Sequence, residues 1–307
     1  MPRICYENKK FQGKSLDIIR QANSIIKGYA AQGFDLTLRQ LYYQFVARDV
    51  IPNNLKEYKR LSTIVNDARY AGLIDWLHIT DRTRSLRSNS HWDGPEDIIS
   101  SAVSSFAIDK WAMQEYRPEV WIEKDALVGV IEGACRKADV SYFSCRGYTS
   151  ASEMWIAAQR LVSYLRNGQT PLVIHLGDHD PSGMDMSRDI FDRLELFIET
   201  EGYKAAEVKR IALNMDQIET YRPPPNFAKL TDTRANSYIQ RYGGNSWELD
   251  ALEPTVLAGL IESTVAAYRD DHLWEEAVTL ERQHRENLRG AARRWGDVTR
   301  YLKGGAE

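Results

Sequence analysis

The sequence predicts an α/β protein: a helical N-terminal module, then a parallel, Rossmann-like sheet, then a mostly helical C-terminal extension. Two apolar runs and one helical pattern carry that expectation. Residues 172–176 (Leu-Val-Ile-His-Leu) form the short, uniformly apolar run of a parallel strand buried on both faces. Glu119-Val-Trp-Ile is a second such run, also followed by a helical pattern. Upstream, residues 15–71 carry apolar side chains at helical spacing. The expected division is residues 1–90, a linking helix over 91–118, the sheet domain over 119–215 and the extension over 216–307.

In chain order, residues 15–32 read as an amphipathic helix with Ile18, Ile19, Ala22, Ile25, Ile26 and Tyr29 on one stripe, closed by Gly33. A second helix starts at Thr37, a residue type suited to capping, and runs through Leu38-Arg-Gln-Leu-Tyr42-Tyr43-Gln-Phe-Val-Ala. Leu38, Leu41, Tyr42 and Phe45 make its core stripe. Tyr43 falls off that stripe, one turn from Arg39 on the same face, with its hydroxyl expected outward. A third helix covers about 56–71, burying Leu61, Ile64, Val65 and Ala68 and stopping at Gly72. Leu73-Ile-Asp-Trp-Leu-His-Ile-Thr then reads as a short strand. Three small helices and a β-ribbon outline a winged helix; a generic helical domain is the plain alternative.

A linking helix is expected over 96–117, with Ile98, Ile99, Val103, Phe106, Ala107 and Trp111 inward. The sheet domain continues with helix 126–138, strand Tyr142-Phe-Ser-Cys, a helix opened by Ser150-Ala-Ser-Glu153 as a capping box with Trp155, Ala158, Val162 and Leu165 inward, helix 184–200 with Ile190, Leu194 and Phe197 inward, and strand Lys209-Arg-Ile-Ala-Leu-Asn. Tyr221-Arg-Pro-Pro-Pro-Asn226 is an extended connector. Asp250 and Glu253 are expected to cap a helix near 254–268, an auxiliary metal site on the cluster Glu248, Asp250 and Glu253 being the lesser alternative. Residues 271–303 read as one charged helix with Leu288, Ala291, Trp295, Val298 and Leu302 at near-heptad spacing.

Composition narrows the class without deciding it. With 307 residues the chain is long enough for two cores, and 43% hydrophobic with 27% charged residues is ordinary for a soluble globular protein. No run approaches a membrane span, and the start is not a signal peptide, so a cytoplasmic protein with no membrane partner is expected. Cys5, Cys135 and Cys145 lack metal spacing and are expected as reduced thiols. The net charge of −3 hides an asymmetry: residues 1–90 hold 15 Lys/Arg against 8 Asp/Glu, whereas the remainder holds 25 against 35. A basic N-terminal module suits phosphates and an acidic remainder suits cations.

The chemistry concentrates at Gly177-Asp178-His179-Asp180-Pro181-Ser182-Gly183. In extended chain, residues i and i+2 face one way, so both carboxylates would project together from the strand's carboxyl edge. Such neighbours repel unless they share a cation, and Mg²⁺ (with Mn²⁺ as the alternative) is the hard ion that oxygen ligands favour. A strand-end turn with a helix cap would use the same residues. Glu123, after the first strand, is a third acid at a carboxyl edge, where ligand sites of α/β sheets gather. His175 reads as a hydrogen-bonded core residue and His179 as turned away from the acids. No zinc spacing is present.

Glu123, the turn Arg146-Gly147-Tyr148, and Asp178-His-Asp180-Pro-Ser-Gly183 occur in the order of the toprim domain, which residues 119–215 resemble. Preceded by Arg39-Gln-Leu-Tyr42-Tyr43 on a winged-helix-like module, the chain resembles the A subunit of the type IIB topoisomerases (topoisomerase VI) and the related meiotic double-strand-break transesterase. It is shorter than those A subunits and is similar in that to reduced, phage- or plasmid-borne A-like proteins. The resemblance implies a nucleoid-associated protein that cuts double-stranded DNA by transesterification. Tyr43, Arg39 and Glu123 would be catalytic, with Glu123, Asp178 and Asp180 as Mg²⁺ ligands. It further implies a homodimer in which the tyrosine of one protomer serves the metal site of the other. No P-loop motif is present, which leaves a separate ATPase subunit open as a further partner. A nearby Arg39 is expected to favour the Tyr43 phenolate. Two rival readings use the same residues: a toprim nuclease in which the acids activate water, and a non-catalytic winged-helix regulator.

Overall fold

A computed structural model describes residues 3–79, 89–204, 206–227 and 232–304. The N-terminal stripes pack as their spacing requires. Helix α1 (Gly13–Ala30) buries Ile18, Ile19, Ala22, Ile25, Ile26 and Tyr29. Helix α2 (Leu38–Ala47) opens with a full capping box, in which Thr37 and Gln40 each bond the other's backbone N–H. Helix α3 (Leu55–Tyr70) is capped by Asn54, whose side chain accepts from the Glu57 N–H, and buries Leu61, Ile64, Val65 and Ala68. All three share one core with Leu36, Leu41 and Phe45.

The expected strand after α3 is absent among the described residues. Residues 73–79 form turns with one isolated parallel bridge, Leu36 to Ile79. Side chains occupy the backbone groups that a ribbon would pair. Asp75 accepts from the Leu77 N–H (2.9 Å), and Arg69 Nη2 donates to the carbonyls of Trp76 and Ile79 (2.9 and 3.0 Å). The last residue of that predicted strand, Thr80, and part of the polar stretch after it lie outside the described residues.

Helix α4 (Pro95–Ser105) is followed by β1 (Tyr116–Ile122), a 3₁₀ turn (Asp125–Leu127), α5 (Val128–Lys137), β2 (Ser141–Ser144), α6 (Ala151–Arg166), β3 (Thr170–Leu176), α7 (Pro181–Thr200) and β4 (Glu207–Ala212). Then come α8 (Met215–Tyr221), β5 (Asn226–Phe227), α9 (Ala235–Tyr242), β6 (Asn245–Ser246), a second 3₁₀ turn (Leu249–Ala251), α10 (Pro254–Ala266), α11 (Asp271–Arg293) and α12 (Trp295–Gly304). The strands make a four-stranded parallel sheet in the order β2-β1-β3-β4. Trp121 and Val173 join the α6/α7 side chains in one cluster. Their neighbours Val120, Ile122, Leu172 and Ile174 point the other way and are equally buried. Both faces are therefore covered, as uniformly apolar parallel strands require.

Contacts divide the chain into two units, Met1–Arg84 with Pro118–Ala267, and Ser85–Arg117 with Tyr268–Glu307. The first holds the three N-terminal helices and the sheet together, where the sequence parts residues 1–90 from 119–215. In the second, the expected helix 96–117 stops at Ser105. Arg285 donates to the Phe106 carbonyl (2.6 and 2.8 Å) and the Ile108 N–H donates to Glu281 (3.0 Å), so side chains of α11 take the groups that another helical turn would use. Trp111 packs edge-on against Trp274. The tail is two helices broken at Arg294; of the described stripe residues, Ala291 and Leu302 (66%) are exposed and Leu288 and Trp295 are half-buried.

Helix α6 is rotated from its expected setting. Met154, Ala157, Ala158, Leu161 and Val162 face the core, Leu165 is half-buried, and Trp155 is 52% exposed. On α7, Ile198 takes the buried place expected of Phe197, which packs partly buried beside it. The rotation has a direct test in urea unfolding. Met154→Ala should cost about 2–5 kcal/mol, and Trp155→Ala less than about 1 kcal/mol.

A candidate active site at the carboxyl edge of the sheet

The carboxyl ends of β1 and β3 lie side by side, and the backbone locks them together: the Glu123 N–H donates to the Leu176 carbonyl (2.9 Å) and the Asp178 N–H to Glu123 Oε2 (2.8 Å). This close approach explains both glycines of the turn. A Cβ on Gly177 would sit 2.9 Å from Glu123 Oε2, and one on Gly183 would collide with the Asp178 carbonyl oxygen. Asp180 caps α7, accepting from the Gly183 N–H (2.6 Å) and Ser182 Oγ (3.0 Å). Asp178 is buried, and its Oδ1 accepts from the Leu249 N–H (2.7 Å).

All three acids line a cavity of about 790 Å³ whose wall also includes Arg39, Tyr43, Lys124, Asn226, Glu248 and Asp250. Burial, and next the charge of Asp178, push the Glu123 carboxyl up to about 7. Asp178 is raised by burial too. Among the described residues, no three acids, histidines or cysteines are drawn into a ready coordination shell. The cation that sits on Asp178 is instead the Lys124 ammonium, 2.9 Å from Asp178 Oδ2, 2.9 Å from Glu248 Oε2 and 3.1 Å from Asp250 Oδ1. Arg39 joins from α2, with Nε 2.8 Å from Asp250 Oδ2 and Nη2 on Glu248. Burial works against the Glu248 carboxylate, but Lys124 and Arg39 outweigh it and hold its pKa down at about 2.

Asp250 is therefore no helix cap. Its side chain is 1% exposed and joins two cations, while Glu253 stands before α10 without a capping hydrogen bond. Arg39 and Tyr43 do share a face, as their spacing requires, with Arg39 Nη2 3.4 Å from the Tyr43 hydroxyl. Tyr43 does not stand outward in solvent, however; it is as buried as Tyr42 and faces the cavity. Nor does Arg39 make it a phenolate here. Burial raises its pKa, Asp250 and Glu248 raise it further, and the guanidinium that opposes them is already paired with those two acids. Tyr42 packs edge-on against Tyr43 and Tyr58 and donates to Asn53 (3.0 Å), a core role as expected.

The histidines behave as expected. His175 is fully buried with Nδ1 2.8 Å from Ser187 Oγ, and burial brings it down to about 3, hence neutral. His179 turns away from the acids into an aromatic box of Tyr238, Tyr242 and Trp247, and its backbone pairs with Trp247. Sequence reasoning missed Lys124 and Arg210, and placed Glu248 only in a second acid cluster beside Asp250. Arg210 lies on β4 and donates to the carbonyls of Gly177, Asp178 and Gly183 (2.8, 2.6 and 2.9 Å), clamping the acid turn. A charged residue inside a predicted buried strand was the available signal for Arg210, and Lys124 stands next to Glu123. Glu248 stands beside Asp250 in the sequence, but nothing there joins that pair to Glu123, 125 residues away. Compared with family models the chain matches none, and no curated protein matches it.

The raised Glu123 carboxyl has a stability consequence whose sign is fixed. The folded group holds its proton more firmly than its ordinary 4.5, so stability falls as pH rises from 4.5 towards 7, and the whole penalty is present above 7. Without divalent ions, Glu123→Gln should raise stability at pH 8 by at most roughly 3 kcal/mol, at 1.36 kcal/mol per pH unit. The gain should vanish near pH 4. Thermal unfolding of both proteins at the two pH values in chelator checks this; an equal difference at both would refute it.

Proposed function

We propose that this chain cuts double-stranded DNA by transesterification through Tyr43, in the manner of the topoisomerase VI A-subunit family. A divalent ion, Mg²⁺ or Mn²⁺, would be held by Glu123, Asp178 and Asp180. One observation carries the reading: Arg39 and Tyr43 on α2 line the same cavity as the three carboxylates at the carboxyl edge of the sheet. The parallel sheet supports a toprim-like domain; the packed three-helix module carries Arg39 and Tyr43 but, among the described residues, lacks the β-ribbon of a winged helix.

The residues fit a hard cation. The donors are carboxylate oxygens, they face one cavity, and burial makes their unshared charge costly. When bound, such an ion supplies positive charge for the reacting phosphate and for the departing oxygen. The remaining steps belong to the chain. Tyr43 Oη forms a bond to phosphorus while the bond from phosphorus to the 3′-oxygen breaks, leaving a 5′-phosphotyrosine and a free 3′-hydroxyl. The phenol gives up its proton to a cavity carboxylate or to water, and the 3′-oxygen takes one up, so the proton count is unchanged. The phosphodiester linkage to the 3′-oxygen is exchanged for one to Tyr43 rather than hydrolysed, so its energy is kept and resealing needs no nucleotide. Arg39 would turn from Glu248 and Asp250 towards the phosphate, and leaving those acids it would stabilise a phenolate that the resting site disfavours.

A second reading has an observation of its own. The raised Tyr43 pKa favours a nuclease in which the same acids activate water and Tyr43 only contacts DNA. Adduct trapping separates the two. After incubation with supercoiled DNA and Mg²⁺, denaturing gels should show covalent protein–DNA complexes for the wild type and Tyr42→Phe and none for Tyr43→Phe. Undiminished cutting by Tyr43→Phe without any adduct would hand the case to the nuclease. Asp180→Asn should abolish cutting yet fold, because Asn also caps a helix.

Cutting both strands calls for two copies, and a homodimer remains part of the proposal. The shared cavity argues that each tyrosine serves its own chain's acids, against the exchanged arrangement that the family resemblance implies. Mixing Tyr43→Phe with Asp180→Asn chains should then give no nicking, even where subunit exchange is demonstrated. Restored single-strand nicking would show the sites to be built from two chains.

A further inference from the structure

We propose that Lys124 is a built-in counter-cation: it neutralises Asp178 before a divalent ion arrives and is displaced from Asp178 when one binds. The inference rests on the metal site proposed above and says what this chain does before that site is filled.

The geometry makes Lys124 separable from the rest of the network. Its ammonium touches three carboxylates, but they do not depend on it equally. Glu248 and Asp250 are each bound to Arg39 as well. Asp178 Oδ2 has Lys124 at 2.9 Å as its cation, while Oδ1 is occupied by the Leu249 N–H. Withdrawing the ammonium thus leaves Glu248 and Asp250 paired and uncovers Asp178, one of the three acids expected to hold metal. Glu123 and Asp180 already face the same cavity. The lysine stem is long enough for its head to leave all three carboxylates for solvent, with Glu248 and Asp250 keeping Arg39. A divalent ion delivers two charges where Lys124 supplies one, which suits a site with six carboxylates in its wall against Arg39, Arg146 and Lys124. Lys124 is accordingly a positioning residue, setting how readily the site takes up its ion.

Two readouts other than activity test this. Lysine acetylation of the wild-type protein, mapped by mass spectrometry, should show Lys124 protected in chelator and labelled several-fold more at saturating Mn²⁺. Lys137, 73% exposed, should be labelled equally in both conditions. Calorimetric titration should find Mn²⁺ binding at least tenfold tighter in Lys124→Met than in the wild type. Should that variant fail to fold, the wild-type footprint decides alone. Measurable Mn²⁺ binding with Lys124 still protected, or with an unchanged affinity in Lys124→Met, overturns the displacement and leaves the metal site standing. No binding to the wild type, with Lys124→Met also silent, removes the metal site itself and this inference with it.

Discussion

Carboxylates withdrawn from water are costly unless something charged or hydrogen-bonding meets them, and the carboxyl edge of this sheet concentrates several. Glu123 and Asp178 end adjacent strands and share a hydrogen bond through the Asp178 amide. Neither can move off without breaking the register of β1 against β3, so their repulsion is a fixed boundary condition. The surroundings answer it from three directions: Lys124 from the same turn as Glu123, Arg39 from α2, and Arg210 from β4. Only the first two meet side-chain carboxylates. Arg210 spends its donors on backbone carbonyls and the Ser187 hydroxyl, and burial lowers it to about 10.

That arrangement ties the N-terminal helices to the sheet through charge. Arg39 reaches Glu248 and Asp250, more than two hundred residues on, and those acids pass to Lys124 and so to Asp178. The phenol of Tyr43 sits beside the chain of ion pairs, and the acids that steady Arg39 are those that keep the phenol protonated. Under the proposed function, a substrate phosphate and a metal ion would each compete for the cations and anions of this network, setting reactivity against stability at rest.

Much of this was legible because local rules sufficed. Periodicity placed the buried faces of α1 and α3 to the residue, and the strand ends with Glu123, Asp178 and Asp180 followed from apolar runs broken by acids. Where a tertiary partner overruled a local rule, legibility ended. Met154 rather than Trp155 faces the core because the stripe of α6 answers to the sheet beneath it, and Tyr43 is buried because the cavity wall lies over it. Asp250 resembles a cap in sequence, since nothing nearby announces that Arg39 and Lys124 will reach it. The strand expected after α3 is lost to Arg69 and Asp75, whose side chains bond the backbone first.

The aromatic box around His179 lies on the far side of the acid turn, yet it is coupled to the turn mechanically. His179 and Trp247 exchange backbone hydrogen bonds of 2.8 and 2.9 Å, and two residues further along Leu249 donates to Asp178. The 245–250 segment is thus tied to the acid turn at two points, so a change of ring size among Tyr238, Tyr242 and Trp247 would reach Asp178 through the backbone, with no charge altered.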